Sequence, residues 1–461
     1  MPTVPTDDQG EEPLVPVYPY NEPGADIQLY AGPLVEADDQ QWRGRILLTC
    51  GSRLAVVWRL DEIPSDRWAW NALRETDVHL QIRQGPDRHE VAGLRRTLTE
   101  GTLHAQSIGS DETALRRVLY HWMNLLPVHS PGLLRRRGRD GRSTWTGRSR
   151  LELGPWQLTL DRRSDHPRIW ETLASEHNFA MTHVMQVSRA DGADFTVEEL
   201  EPLQLALHFG MSFAFGRWVA PAAPVGFDSA GAMVWRHWAS VFCEPGRDGG
   251  LAWLHYPDSH DLGDFLSRTY DAFADPDRSH TLKLLLSMAV EVNRAGRVEQ
   301  RTMTAFSALE LLTWVVLKLT GGMSKNQYGA LRAHGRIRTM LEAASIDTRI
   351  DERRQPAIAA FARAERRTGA PLDGPSAIST IRNRLVHPNA PQDEVYHLDG
   401  LVRDTWLLTR HYLNLLILHW LGYTGSYQAV LGPGGWAGDG QPVPWAPPPA
   451  APAEAASAQK R

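Results

Sequence analysis

Glu299-Gln-Arg-Thr-Met-Thr-Ala-Phe-Ser-Ala-Leu-Glu-Leu-Leu-Thr-Trp-Val-Val-Leu-Lys-Leu-Thr320 decides the fold class of the second half of the chain. It is apolar on almost every face, the mark of a central helix in a bundle. Thr281 to Val292, just before it, is another nearly continuous apolar run. Downstream, Ser324 to Ala344 is more polar and basic, Pro356 to Arg367 and Pro375 to Val386 are short amphipathic segments, and Val395 to Leu421 reads as a long closing helix that stops at Gly422. No convincing strand follows about Asp275, so residues 275–427 are expected to form an all-α bundle. From Gly432 the composition is Gly, Pro and Ala, and the tail 432–461 is expected to be disordered.

Upstream of the bundle the pattern is β-like. Arg45-Ile-Leu-Leu-Thr-Cys50 and Leu54-Ala-Val-Val-Trp58 flank Gly51-Ser52-Arg53 as a hairpin. Val78 to Ile82, Leu151 to Leu153, Trp156 to Leu160 and Thr182 to Val187 read as further strands. Helices are expected at Asp111 to Leu126, Asp165 to Glu176, and Thr196 to Phe209, the last opened by the capping box Thr196-Val-Glu-Glu199. Residues 26–270 therefore form a strand-rich α+β domain, preceded by a Pro- and acid-rich segment, 1–25, expected to be a flexible leader. The fold class is a two-domain chain, α+β and then all-α.

Composition narrows the function classes. The chain has 461 residues, 42% hydrophobic and 22% charged, with a net charge of -5, which excludes a polycation that coats nucleic acid by bulk charge. Of the 49 basic residues only Lys283, Lys318, Lys325 and Lys460 are lysines. That arginine excess is what codon bias in a GC-rich genome produces and is no evidence of nucleic-acid binding by itself. Cys50 and Cys243 cannot make a multi-bridge framework, and the acidic start lacks the features of a signal peptide. The most apolar helical stretch, Leu413 to Leu421, is about half a bilayer span. A soluble cytoplasmic protein is expected.

Familiar catalytic patterns are absent: there is no phosphate loop, no Gly-x-Gly-x-x-Gly, no nucleophile elbow and no His-Glu-x-x-His. His255 and His260 lie in a loop segment without carboxylate backing and read as solvated. The informative stretch is Ile378-Ser-Thr-Ile-Arg-Asn-Arg-Leu-Val-His-Pro388. Ile378, Ile381 and Leu385 form a buried helical stripe, and Pro388 ends the helix at about Val386 or His387. Asn383 and His387 fall on the opposite face, with Arg382 at the edge of the stripe. The helix C-terminus favours a protonated imidazole while Arg382 and Arg384 oppose it, a setting suited to a general acid or base. An arginine beside it can hold phosphate with a bidentate fork, and Asn383 can orient the imidazole or the phosphate. Glu310, set in an apolar helix, is expected to be buried and to pair with Arg382.

Arg382-Asn-Arg-Leu-Val-His387 resembles the Arg-x(4–6)-His motif of HEPN domains, with a polar residue after the arginine and the histidine ending a helix before proline. Phe306-Ser-Ala-Leu-Glu-Leu-Leu312 and Leu421-Gly-Tyr-Thr-Gly-Ser-Tyr427 resemble segments of the Apea-like HEPN subgroup. This resemblance covers about a third of the chain. It implies a HEPN-like bundle acting as a metal-independent endoribonuclease in antiphage defence or a toxin-like stress response. The 2′-hydroxyl of RNA attacks the adjacent phosphate at a cleft built by a homodimer, with Arg382 and His387 catalytic, Asn383 supporting and Glu310 behind them. No metal and no cofactor are implied, residues 26–270 become a sensor of the trigger or a substrate-recruiting module, and the identity of any neutralising or trigger partner stays open. The alternative is a catalytically inactive HEPN scaffold that binds RNA, nucleotide or a partner protein; a weaker third is an unrecognised hydrolase in the N-terminal domain.

A second basic stretch is a candidate RNA contact. Arg135, Arg136, Arg137, Arg139 and Arg142 lead to Trp145 in what reads as a Gly-rich loop. Guanidinium forks with an aromatic ring are what a single-strand binder uses, and Arg384 adds to the same expectation in the bundle. A mobile, solvated charge run is the simpler reading of the loop.

Overall fold

The computed structural model describes residues 10–36, 41–63, 76–84, 87–138, 141–247, 251–254, 259–294, 296–365, 371–387, 395, 398–431 and 440–447. The chain divides into two compact units, residues 1–252 with 256–286, and residues 253–255 with 287–461. The change of unit falls within the helix Pro276–Glu291.

In the first unit, alternating apolar residues close a barrel. Six strands, β1 (Ile27–Glu36), β2 (Gln41–Thr49), β3 (Ala55–Leu60), β4 (Asp77–Gln84), β5 (Asp87–Arg95) and β6 (Glu100–Leu103), run in the order β1-β2-β3-β6-β5-β4, and β1 pairs with β4. Ile46, Leu48, Val56, Trp58, Leu80 and Ile82 point into the main core, while Leu47, Ala55 and Val57 make a small cluster on the other face. That is the period-2 pattern of a strand, and the expected hairpin at 45–58 is the β2–β3 pair.

An eight-stranded antiparallel sheet continues the same core. It comprises β7 (Gln106–Ile108), β8 (Arg117–Met123), β9 (Gly132–Gly138), β10 (Gly141–Leu153), β11 (Trp156–Arg162), β12 (Met181–Arg189), β13 (Ala220–Phe227) and β14 (Met233–Trp238), in the order β7-β14-β13-β8-β12-β11-β10-β9. Two expectations are corrected here. The helix expected at Asp111 to Leu126 is instead β8, held between β12 and β13. Its residues from Val118 to Met123 are buried on both faces, so it shows no alternation and reads like a helix segment. The arginine stretch expected as a Gly-rich loop is the β9–β10 hairpin, with Arg137 opposite Arg142 and Leu134 opposite Trp145.

The helix expected at 165–176 is His166–Glu176. The one expected at 196–209 is a helical run over 198–215 containing a π turn at Ala206–Gly210, and it stops at Gly216 with φ 64°. Residues 10–25 are not a loose leader. Glu11 bonds through its backbone to Leu133 and Arg135, and Tyr18 and Asn21 are buried.

The second unit is helical. Leu401–Leu421 is its axis, buried along nearly its whole length, with Val298–Thr313, Ala333–Ala343, Pro356–Ala364 and Gly374–Val386 packed against it. The polar and basic stretch Ser324 to Ala344 holds two helices, Lys325–Ala330 and Ala333–Ala343. Val298–Thr313 continues through a π-helical stretch, Trp314–Thr320. By length and composition alone, 298–320 is long and apolar enough to cross a membrane. Part of the expected disordered tail is placed: Gly440–Pro442 pairs with Ser426–Gln428, and Trp445 donates Nε1–H to Tyr423 O at 2.7 Å.

Candidate functional site

The helix Gly374–Val386 is built to hold its C-terminal end still. Asp373 caps it, accepting from Ser376 N at 3.0 Å, and Pro375 sits in the first turn. Arg338 clamps that cap, donating to Asp373 at 2.6 and 2.9 Å and to Ser376 Oγ at 2.8 Å. This arginine, together with the bonds from Ser376, holds the Asp373 carboxyl below its usual range against the burial that would raise it. Gly374 leaves no room for a side chain beside the Tyr412 hydroxyl. Ile378 and Ile381 are buried and Leu385 is half-buried, so the apolar stripe faces the core. The helix ends at Val386, and His387 follows with its N–H on Asn383 O at 2.7 Å. Pro388 lies outside the described residues.

Arg382, Asn383, Arg384 and His387 line an open cleft of about 610 Å³. Arg382 lies 3.7 Å from Glu310, with its guanidinium over the Phe306 ring and one N–H on Asn383 Oδ1 at 3.2 Å. Glu310 differs from the expectation of burial: its side chain is 37% exposed, so water as well as Arg382 solvates it. Arg384 turns the other way, to Glu365 at 2.6 Å and over the Phe361 ring. Asn383 and His387 are exposed, which leaves both reachable.

The opposite wall escaped the sequence reading. Arg332, His334 and Arg336 come from the start of helix Ala333–Ala343 and face the same cleft, with Ser379 and Thr380 between. Arg336 is fixed by Leu331 O at 2.7 Å and by stacking on Tyr328, whereas Arg332 is exposed. Only the tertiary fold brings His334 near His387, because 53 residues of chain separate them and no local pattern links them. Arg301 lines a separate cleft with Arg294 and Arg297 and lies over Trp406.

The arginines of the β9–β10 hairpin are placed differently from the cleft group. Arg135 is half-buried and Arg136 exposed; Arg139 and the side chains of Arg137 and Arg142 lie outside the described residues. Trp145 is tied down by its Nε1–H to Arg162 O at 2.8 Å. Arg148 is buried, paired with Asp161 at 2.6 Å and with Glu11, which also holds Arg150. His260 is exposed beside Asp261 and His255 lies outside the described residues. Cys50 and Cys243 are both free and buried. Among the described residues no group of three or more His, Cys, Asp or Glu is arranged to hold a metal ion.

Comparison with known proteins bears on the two halves separately. Residues 110–249 match the family model "YopA central domain", and residues 275–441 match "YopA C-terminal domain". The SPbeta prophage-derived uncharacterized protein YopA of Bacillus subtilis (strain 168) is 28% identical over 339 residues, 73% of each chain. No solved structure matches. These matches overturn the HEPN resemblance, because the helical region falls to the YopA C-terminal model and no HEPN family is found. Arg-x4-His is a two-residue pattern, and an arginine-rich chain supplies it readily by chance. In sequence order, then, the chain carries regions similar to the central and C-terminal domains of YopA.

Proposed function

We propose that the cleft around His387 cleaves RNA by a metal-independent transphosphorylation. The observation that carries this reading is the lining of one open cleft by two histidines, four arginines and a single carboxylate. Such a surface attracts a phosphodiester and offers it proton donors and acceptors. The 2′-hydroxyl gives its proton to one imidazole as its oxygen bonds to phosphorus. The bond from phosphorus to the 5′-oxygen breaks, and the other imidazole protonates that leaving oxygen. Arg382, beside His387, meets the charge that builds on the phosphorane, with Arg332 across the cleft, while Asn383 and Glu310 keep Arg382 in place.

A homodimer through the helical unit and a cytoplasmic location remain part of the proposal. Val386 and His387 are exposed at the cleft rim, where a second copy would close it. The prophage origin of the Bacillus subtilis protein supports a setting in conflict between phage and host, in which RNA cleavage is a potent effector. The test is incubation of the purified chain with mixed cellular RNA in EDTA. Cleavage by the wild type and its loss in both Arg382→Ala and His387→Ala are expected; a requirement for divalent metal, or full activity in His387→Ala, contradicts the mechanism.

A further inference from the structure

We propose a second, independent binding site in the first unit: a cavity beneath residues 13–20 that takes a nucleoside phosphate. Its volume, about 650 Å³, is in the range of small-ligand sites. One wall is the proline-rich segment Pro13 to Tyr20, and the other is formed by Arg136, Trp145, Arg162 and Arg163. The charges do not balance across it. Arg163 is satisfied by Asp165 at 2.7 Å and by the carbonyls of Asn21 and Met181. Arg148 and Arg150 consume Asp161 and Glu11. Asp165 is further shared with Arg168.

Arg162 and Arg136 are left over. Among the described residues neither has a carboxylate within ion-pair distance. Arg162 gives one N–H to Thr146 O at 2.6 Å, while its Nε is buried without a partner. His166 and His183, close beneath it, are held neutral, chiefly by burial, and so add no positive charge of their own. A half-buried guanidinium of this kind is costly unless an anion from outside completes it. The Trp145 indole shares this wall. Its Nε1–H is anchored on Arg162 O, so the ring is held ready to stack against a planar base while the two guanidiniums fork a phosphate. A ring and an anion within one cavity are the two halves of a nucleotide.

Isothermal titration calorimetry on the full chain tests this with AMP, adenosine and inorganic phosphate. AMP is expected to bind at one saturable site, with adenosine and phosphate each weaker by roughly tenfold or more. Arg162→Met, and the exposed Arg136→Met should the former fail to fold, weaken AMP binding by roughly tenfold, while Arg382→Ala leaves it unchanged. That last arm separates this site from the His387 cleft, whose failure as a ribonuclease would not touch it. Absence of saturable AMP binding, phosphate binding as tightly as AMP, insensitivity to arginine substitution, or loss of binding in Arg382→Ala overturns the proposal.

Discussion

The β9–β10 hairpin and the His387 cleft are both rich in arginine, yet Arg148 of the hairpin and Arg382 of the cleft have opposite roles. In the hairpin region Arg148 is 8% exposed and bonded to Asp161, itself 1% exposed, with Glu11 of the N-terminal segment closing the network. In the cleft Arg382 faces a half-exposed Glu310 at 3.7 Å, and Arg332 stands in solvent. Carboxylate supply, not arginine count, separates a structural guanidinium from one left for a ligand.

The largest effect that would break this contrast is on chemistry. Arg382→Ala and His387→Ala are each expected to lower RNA cleavage by about 10²–10³-fold, the usual worth of a positioned acid–base group or oxyanion donor. Arg136→Ala should change it less than about threefold, the scale of an exposed charge. Equal losses from both regions, in the same gel assay, would erase the distinction.

Stability should show the reverse order. Arg148→Ala strands the buried Asp161 and is expected to cost about 3–5 kcal/mol in urea unfolding, whereas Arg382→Ala should cost less than about 1 kcal/mol because its pair is screened by water. Arg148→Ala unfolding at the wild-type midpoint would show the buried pair to be dispensable.

Acid sharpens the contrast further. His121 receives Val17 N–H on Nε2 and gives Nδ1–H to Ala223 O, so it is neutral in the fold; burial pushes its pKa down to about 4, as it does for His166. An unfolded histidine titrates near 6.5. Between those values the unfolded chain binds protons that the folded one refuses. Stability is therefore full above about pH 6.5 and falls by about 1.4 kcal/mol per pH unit per histidine down to about pH 4. Urea midpoints at pH 7.5 and 5.5 measure this, and His121→Gln should flatten the slope. The smallest effect expected is that of Glu310→Gln, about threefold on cleavage, since the pair it breaks is half-solvated; a hundredfold loss would make Glu310 a direct participant.

The parts of the fold legible in the sequence are those with a one-sided or all-round apolar pattern. The run 299–320 and the hairpin at 45–58 are of this kind, as is the helix bearing Ile378 and Ile381. β8 was hidden because a strand buried on both faces has no period, and the hairpin at 132–153 because long arginine stems on exposed strands look like a solvated loop. At the cleft, Arg382 and His387 were legible from their position at a helix end. Arg332, His334 and Arg336 were not, since their approach depends on how two helices pack. The HEPN resemblance failed for the same reason that the motif attracted notice: two residues at a fixed spacing carry little information in a chain this rich in arginine.

The most direct measurement is made on the scissile nucleotide. An oligoribonucleotide cut at one known position is compared in EDTA with the same strand carrying a single 2′-deoxy sugar there. Transphosphorylation at the His387 cleft predicts a 2′,3′-cyclic phosphate end from the first and no cut in the second. Cleavage of the deoxy-substituted strand, or a 5′-phosphate end on the downstream fragment, contradicts it.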